Sequence, residues 1–292
     1  VTFINTNQQY FKSMNFLERM LIISFAFLAF SSSLKASEGT TPTGGRAAAM
    51  GNSTVALSDF WSLYNNPAGI AFQDRFALGI AYENRFMMQE LSLQSAGLVA
   101  PTKLGVLGLS FNQFGYTLYK EQMLGLAYAR AFGEDLSIGL KLDYFSTSFS
   151  EGYENFSAIT FELGVQYAIN EKLTTGAYIF NPGKARLSAY TDERLPVILR
   201  FGLAYAFAAN LIGTAEIEKN FDRDASIRAG LEYFVLDKFF IRAGINTQPG
   251  LFTFGTGFDL GPVRIDLAGN LHQVLGTSIQ SSLIVHFGKQ KK

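Results

Sequence analysis

From Leu136 to Tyr144 the chain alternates without a break, with Leu136, Ile138, Leu140, Leu142 and Tyr144 on one parity and Ser137, Gly139, Lys141 and Asp143 on the other. Side chains of a strand point to opposite faces in turn, so this run predicts a strand with one greasy and one polar face. The same period recurs along most of the sequence. It predicts about fourteen strands, at 75–86, 90–100, 104–115, 119–132, 136–147, 156–168, 173–181, 195–207, 211–219, 225–235, 239–246, 251–260, 263–271 and 277–287. Each is near the roughly 9 to 11 residues that cross a bilayer at a tilt, and no apolar run after Ala36 approaches the roughly 20 residues of a membrane helix. An even strand number suits a closed single-chain barrel.

The connections fall into two sets. Pro101-Thr102-Lys103, Gly133-Glu134-Asp135, Asn170-Glu171-Lys172, Ala208-Ala209-Asn210, Leu236-Asp237-Lys238 and Gly261-Pro262 are all short. Ser148 to Asn155, Pro182 to Arg194 and Phe221 to Asp224 are longer and carry charge or aromatic residues. Short periplasmic turns opposite longer outer loops are the mark of an outer-membrane barrel. Sidedness then follows by parity: Ile159, Phe161, Leu163, Val165 and Tyr167 face lipid, and Thr160, Glu162, Gly164 and Gln166 face the lumen. Val197, Leu199, Phe201, Leu203, Tyr205 and Phe207 alternate in the same way with Arg200, Gly202, Ala204 and Ala206. A water-soluble sandwich shows the same alternation within one strand; strand length, export signal and turn asymmetry together favour the barrel.

The fold expected is therefore an all-β transmembrane antiparallel barrel of about 14 strands, residues 73–288, with the basic tail 289–292 behind it. Composition agrees, with 28 Phe, 13 Tyr and 28 Gly among 292 residues and charge at only 16%. Arg19 ahead of the apolar run Leu21 to Phe30, and Leu34-Lys35-Ala36 after it, read as a secretory signal over 1–36, with Met14 the natural start. Without that segment the chain has 21 basic and 23 acidic residues, a balance that recruits no nucleic acid. No cysteine is present, which removes disulfides, thiolate metal sites and Cys nucleophiles together. The termini of such a barrel are expected in the periplasm.

Chemistry is sparse. The inward parity carries Lys141, Asp143, Glu162, Arg200, Glu216, Arg228, Glu232, Arg242, Arg264 and Asp266. Their mixed sign argues against a strongly ion-selective pore. They read as cross-strand pairs that fix register, or as a polar path past a plug. Only His272 and His286 are available as bases. A dyad of His272 with Ser278 is conceivable, but no strained nucleophile turn or third orienting group accompanies it, so no enzyme is expected. No carboxylate cluster has metal-loop spacing and no cofactor is implied. Phe287, closing the last strand, reads as an interfacial aromatic and as a terminal signal for barrel assembly.

Ahead of the first strand lies a block of small residues, Gly44-Gly45-Arg46-Ala47-Ala48-Ala49-Met50-Gly51, followed by Val55-Ala56-Leu57, Asp59, Trp61 and Asn66-Pro67-Ala68-Gly69. Ser58 or Asp59 is placed to cap a short helix that ends before Pro67. Residues 37–72 are apolar and have no core of their own, so the barrel lumen is the nearest place to bury them. The block resembles the N-terminal signature of FadL-like outer-membrane proteins, and in particular the PorV/PorQ family. That resemblance implies a fourteen-stranded barrel whose N-terminal segment folds inward as a hatch, with Gly45, Arg46, Met50, Gly51, Asp59, Trp61, Asn66, Pro67 and Gly69 as its motif. Two roles follow from it. One is an accessory of type IX protein secretion, with secretion components or another outer-membrane complex as partner. The other is a FadL-like conduit for hydrophobic molecules, which the same plug and the apolar Phe60, Trp61 and Leu63 near it favour. Phe60 and Asn52 stand where the family's secretion shuttles carry an acidic residue and a glycine.

Overall fold

The computed structural model describes residues 41–150, 155–187 and 194–288. The expected signal segment with Met14, the tail 289–292 and parts of two long connections lie outside the described residues. Fourteen strands form one closed antiparallel barrel: β1 Phe76–Asn84, β2 Ser92–Pro101, β3 Val106–Tyr116, β4 Tyr119–Phe132, β5 Leu136–Phe149, β6 Phe156–Asn170, β7 Leu173–Phe180, β8 Ile198–Ala208, β9 Leu211–Asn220, β10 Ser226–Leu236, β11 Phe239–Asn246, β12 Leu251–Asp259, β13 Val263–His272 and β14 Gly276–Phe287. Each strand pairs with its sequence neighbours, and β1 closes on β14 in a register running from Phe76 opposite Phe287 to Asn84 opposite Ile279. Closure leaves no edge with unpaired backbone groups, which is what a bilayer core demands.

The strands expected from periodicity agree closely, and β4 and β11 have the expected bounds. The largest difference is at β8, which starts at Ile198 instead of residue 195. The backbone of Leu195 is engaged elsewhere: its N–H donates to the carbonyl of Ala185, and its own carbonyl accepts from Asn181 Nδ2 at 2.6 Å. Pro196 contributes no N–H to extend the ladder.

Alternation sorts the two faces as the parity requires. Ile159 is 66% exposed and Glu162 on the same strand is fully buried. The outward wall is Leu, Ile, Phe and Tyr from strand to strand. Near the short turns it carries an aromatic rim that includes Phe132, Phe207 and two close ring pairs, Phe76 with Phe287 and Phe239 with Phe258 at 4.9 Å. An apolar band with such a rim is the surface that lipid covers.

The lumen is filled by the N-terminal segment, which holds two short helices, α1 Gly45–Ala49 and α2 Ser62–Asn65, and a 3-10 turn over Pro67–Phe72. The α1 helix packs against β11 to β14, and the 3-10 turn against β3 to β6. Phe60, Trp61, Leu63, Tyr64 and Ile70 bury themselves on a wall of small residues that includes Ala77, Ala81, Val99, Ala127 and Ala129. Each large apolar side chain buried this way contributes roughly 1.5–3 kcal/mol. The wall must be small because the segment's backbone presses on it. A Cβ at Gly139 would overlap the Pro67 carbonyl, and one at Gly164 would overlap Asn66 Oδ1. These two glycines face each other across β5 and β6, so no side chain stands between the wall and the segment where it turns.

Candidate functional site

Three groups of inward charges hold the segment. On β5 and β6, Lys141 lies 2.9 Å from Glu162 and 3.2 Å from Asp143, and stands over the ring of Tyr64. On β8 to β10, Arg200 reaches Glu218 at 2.6 Å, and Arg228 reaches Glu216 and Glu218. The other oxygen of Glu216 accepts the backbone N–H groups of Thr54 and Val55 at 2.7 and 2.8 Å. On β10 to β13, Glu232 takes Arg46 in a two-pronged contact at 2.6 and 3.0 Å and Arg242 at 2.5 Å, while Asp266 accepts from Arg242 at 2.7 Å. Arg264 lies on the edge of this group, 3.4 Å from Asp266.

Four of these contacts join residues directly opposite in the ladder: Lys141 with Glu162, Arg200 with Glu218, Arg228 with Glu216 and Arg242 with Glu232. A slip of one residue would turn every one of these charges toward the outer face. Arg46 extends the third group into the segment by binding Asp59 at 3.0 Å. Burial works against the Arg46 charge, but Glu232 and Asp59 outweigh it and its pKa is raised. Burial likewise raises the Tyr64 hydroxyl, against the pull of Lys141, so it stays protonated and donates to the Ala96 carbonyl at 2.5 Å.

The remaining motif residues set the path of the chain. Gly45 N–H donates to Ser282 Oγ and Gly51 N–H to Thr253 Oγ1, at 3.0 and 2.9 Å. Gly51 has a φ of 65°, and Met50 is fully buried against Gly230. Asp59 and Ser62 exchange hydrogen bonds, Ser62 N–H donating to Asp59 Oδ1 and Asp59 N–H to Ser62 Oγ; the cap position itself is Trp61, not Ser58 or Asp59. Asn66 donates to the Val55 carbonyl and accepts from Ala68 N–H, Pro67 starts the 3-10 turn, and Gly69 leaves room for Ser62. Trp61 packs edge-on to Phe60 at 5.0 Å. Phe60, Trp61 and Leu63 are packed between segment and wall, in one buried cluster with the small residues of β1 to β4.

A cavity of about 70 Å³ opens at the end of the barrel that carries the long connections. Its apolar wall is Leu93, Phe114, Met123, Phe145, Phe180 and Leu195, and Arg85, Asn112 and Glu121 supply polar atoms. Asn181, at the start of the β7–β8 connection, ties that connection to the barrel by accepting from Thr160 and Ala185 and donating to Leu195. Arg85 lies just past β1. Its guanidinium is 3.1 Å from Glu83, donates to Thr41 Oγ1 at 3.2 Å and stacks over Phe114. Burial holds the Arg85 pKa below its ordinary range, against the pull of Glu121.

Glu83, Arg85, Asn112, Glu121 and Glu218 were not anticipated as site residues. Parity alone marks Glu83, Asn112, Glu121 and Glu218 as inward, a usable signal. Arg85 sits in a turn beside Phe86 at φ 54°, where the strand period ends. His272 and Ser278 are not joined. His272 Nδ1 accepts the backbone N–H groups of Val274 and Leu275, and Ser278 Oγ accepts that of Phe86. His286 is a half-buried inward residue of β14. Among the described residues no group of three His, Cys, Asp or Glu is placed to hold a metal.

No family model matches the sequence, and no curated protein matches it either. Solved structures do share its fold. The CymD monoaromatic hydrocarbon channel has a TM-score of 0.65 at 13% identity, over 87% of this chain and 100% of that one. The P. putida toluene transporter TodX has 0.64 at 14%, over 86% and 100%. A Pseudomonas aeruginosa FadL homologue has 0.53 at 14%, over 87% and 98%. At such identities the likeness is one of architecture: this is a FadL-like barrel fold.

Proposed function

We propose that the protein is an outer-membrane barrel that binds small hydrophobic molecules at its outer end, in the manner of a FadL-like conduit, without enzymatic chemistry. The short turns and both termini then face the periplasm. The observation that carries this reading is the apolar cavity at the loop end of the barrel, beside the buried N-terminal segment. The fold shared with hydrocarbon channels supports it. In this reading the N-terminal segment is a hatch, and Arg46, Glu232 and Asp59 are its latch. Cells expressing the protein should take up radiolabelled toluene faster than vector controls, and Met123→Trp, which fills the cavity, should return the rate to that of the control. Equal rates in all three strains would refute the reading.

A second reading, an accessory of type IX secretion, is favoured by the resemblance of residues 44–71 to the PorV/PorQ block. Most of that block is buried inside the barrel, so any partner would meet the outer connections instead. Affinity isolation from the native membrane tests it: recovery of a secretion component with the barrel supports an accessory, and recovery of the barrel alone counts against one.

A further inference from the structure

The three inward charge groups differ in balance. Arg200 and Arg228 meet Glu216 and Glu218, and Arg46, Arg242 and Arg264 meet Asp59, Glu232 and Asp266, one base to each acid. On β5 and β6 a single base, Lys141, meets two acids, Asp143 and Glu162. All three side chains are buried, the two acids to 0% exposure. An unpaired charge at that depth is costly enough that a carboxylate takes up a proton instead.

The geometry leaves a place for that proton. Lys141 Nζ lies by Asp143 Oδ1 and Glu162 Oε1, whereas Asp143 Oδ2 and Glu162 Oε2 are buried without a hydrogen-bond partner. The two carboxyl groups are within hydrogen-bond reach of each other, a bond that two carboxylates, being acceptors only, cannot make. The elements around them offer no other charge. Thr160, opposite Asp143 in the ladder, gives its hydroxyl hydrogen to Asn181. Gly125 faces Asp143 from β4, and Phe180 faces Glu162 from β7. Tyr64 of the N-terminal segment covers Lys141 with its ring and commits its hydroxyl to the Ala96 carbonyl. Lys141 and Asp143 are the charged groups that act on Glu162.

We propose that Asp143 and Glu162 share one proton, a buried acid–carboxylate pair that brings the β5–β6 group to the same neutrality as the other two. Met123 and Phe145, the next inward residues beyond Gly125 and Asp143, and Phe180 opposite Glu162 line the loop-end cavity. A neutral pair therefore leaves no excess charge behind that apolar wall. The proton site does not depend on what the cavity binds.

Infrared spectroscopy of the full chain in lipid vesicles at pH 7 reads the proton directly. Wild type minus Asp143→Asn, and wild type minus Glu162→Gln, should each show the C=O stretch of a protonated carboxylic acid, because either change leaves one carboxylate to one ammonium. The band should shift when the Asp and Glu side-chain carboxyls carry carbon-13. Both variants should unfold at the wild-type denaturant midpoint, since the new amide N–H donates where the proton did, whereas Glu232→Gln, from a balanced group, should unfold earlier. If only one variant folds, its difference spectrum decides. A difference spectrum without the carboxylic acid band means that both acids are ionised and overturns the proposal, as does failure of both variants to fold.

Discussion

Glu232 concentrates the interior chemistry on one side chain. It is 1% exposed and neutralises Arg46 from the segment and Arg242 from the next strand. Removing one partner of a buried ion pair leaves the other charged and unsolvated, at a cost of about 3–5 kcal/mol. Glu232→Gln should therefore lower unfolding free energy by about that much in denaturant titrations of the barrel in lipid vesicles. Lys141 offers the complementary case. Lys141→Met leaves Asp143 and Glu162 facing each other without a cation and should destabilise strongly. The triple change Lys141→Met, Asp143→Leu and Glu162→Leu should recover most of that loss, since an apolar replacement of a buried charge group is often neutral; a triple variant as unstable as the single one would contradict this. Parity marks these residues as inward in the bare sequence. Which acid meets which base depends on strand stagger, so the pairing with Glu218 and the reach of Arg46 to Glu232, 186 positions away, were not legible there.

At the scale of elements, the N-terminal segment and the barrel wall fit only because particular wall positions lack a side chain. Gly164→Val would drive a branched side chain into Asn66, whose amide also holds the Val55 carbonyl at 2.6 Å. The segment should loosen while the barrel survives, seen as higher ion conductance in planar bilayers and faster proteolysis within residues 41–72 than in the wild type; unchanged conductance and cleavage would show that the segment does not seal the lumen. The strands themselves were readable nearly to the residue, because a period of two is a local property of the chain. Alternation is blind to what fills the inside. The polar parity of a water-filled barrel and that of one packed by its own segment are alike, and Phe60, Trp61 and Leu63 do not reveal in one dimension that they meet a wall of Ala and Gly. Phe287, at the end of β14 against Phe76, belongs to this scale too. If it signals assembly, Phe287→Ala should reduce the folded fraction in the outer membrane with little change in the stability of the barrel that does assemble.

For the whole molecule the governing term is the medium around the wall. Leu126 is 58% exposed at the middle of β4, and Leu236 is 68% exposed beside a short turn. If hydrocarbon surrounds the barrel, Leu126→Arg should cost about 2–4 kcal/mol and Leu236→Arg about 0–1 kcal/mol in reversible folding into vesicles. In water the two would be alike.

The sequence by itself determined the strand count, the two faces and the closed barrel, because alternation, strand length and turn chemistry act between residues close along the chain. Only the tertiary structure decided how the interior is used: that the N-terminal block fills the lumen, that Glu232 joins it to β10, and that Arg85, Asn112 and Glu121 converge on one cavity. These are contacts between residues distant in the chain. They depend on the stagger and closure of all fourteen strands, which no local pattern encodes.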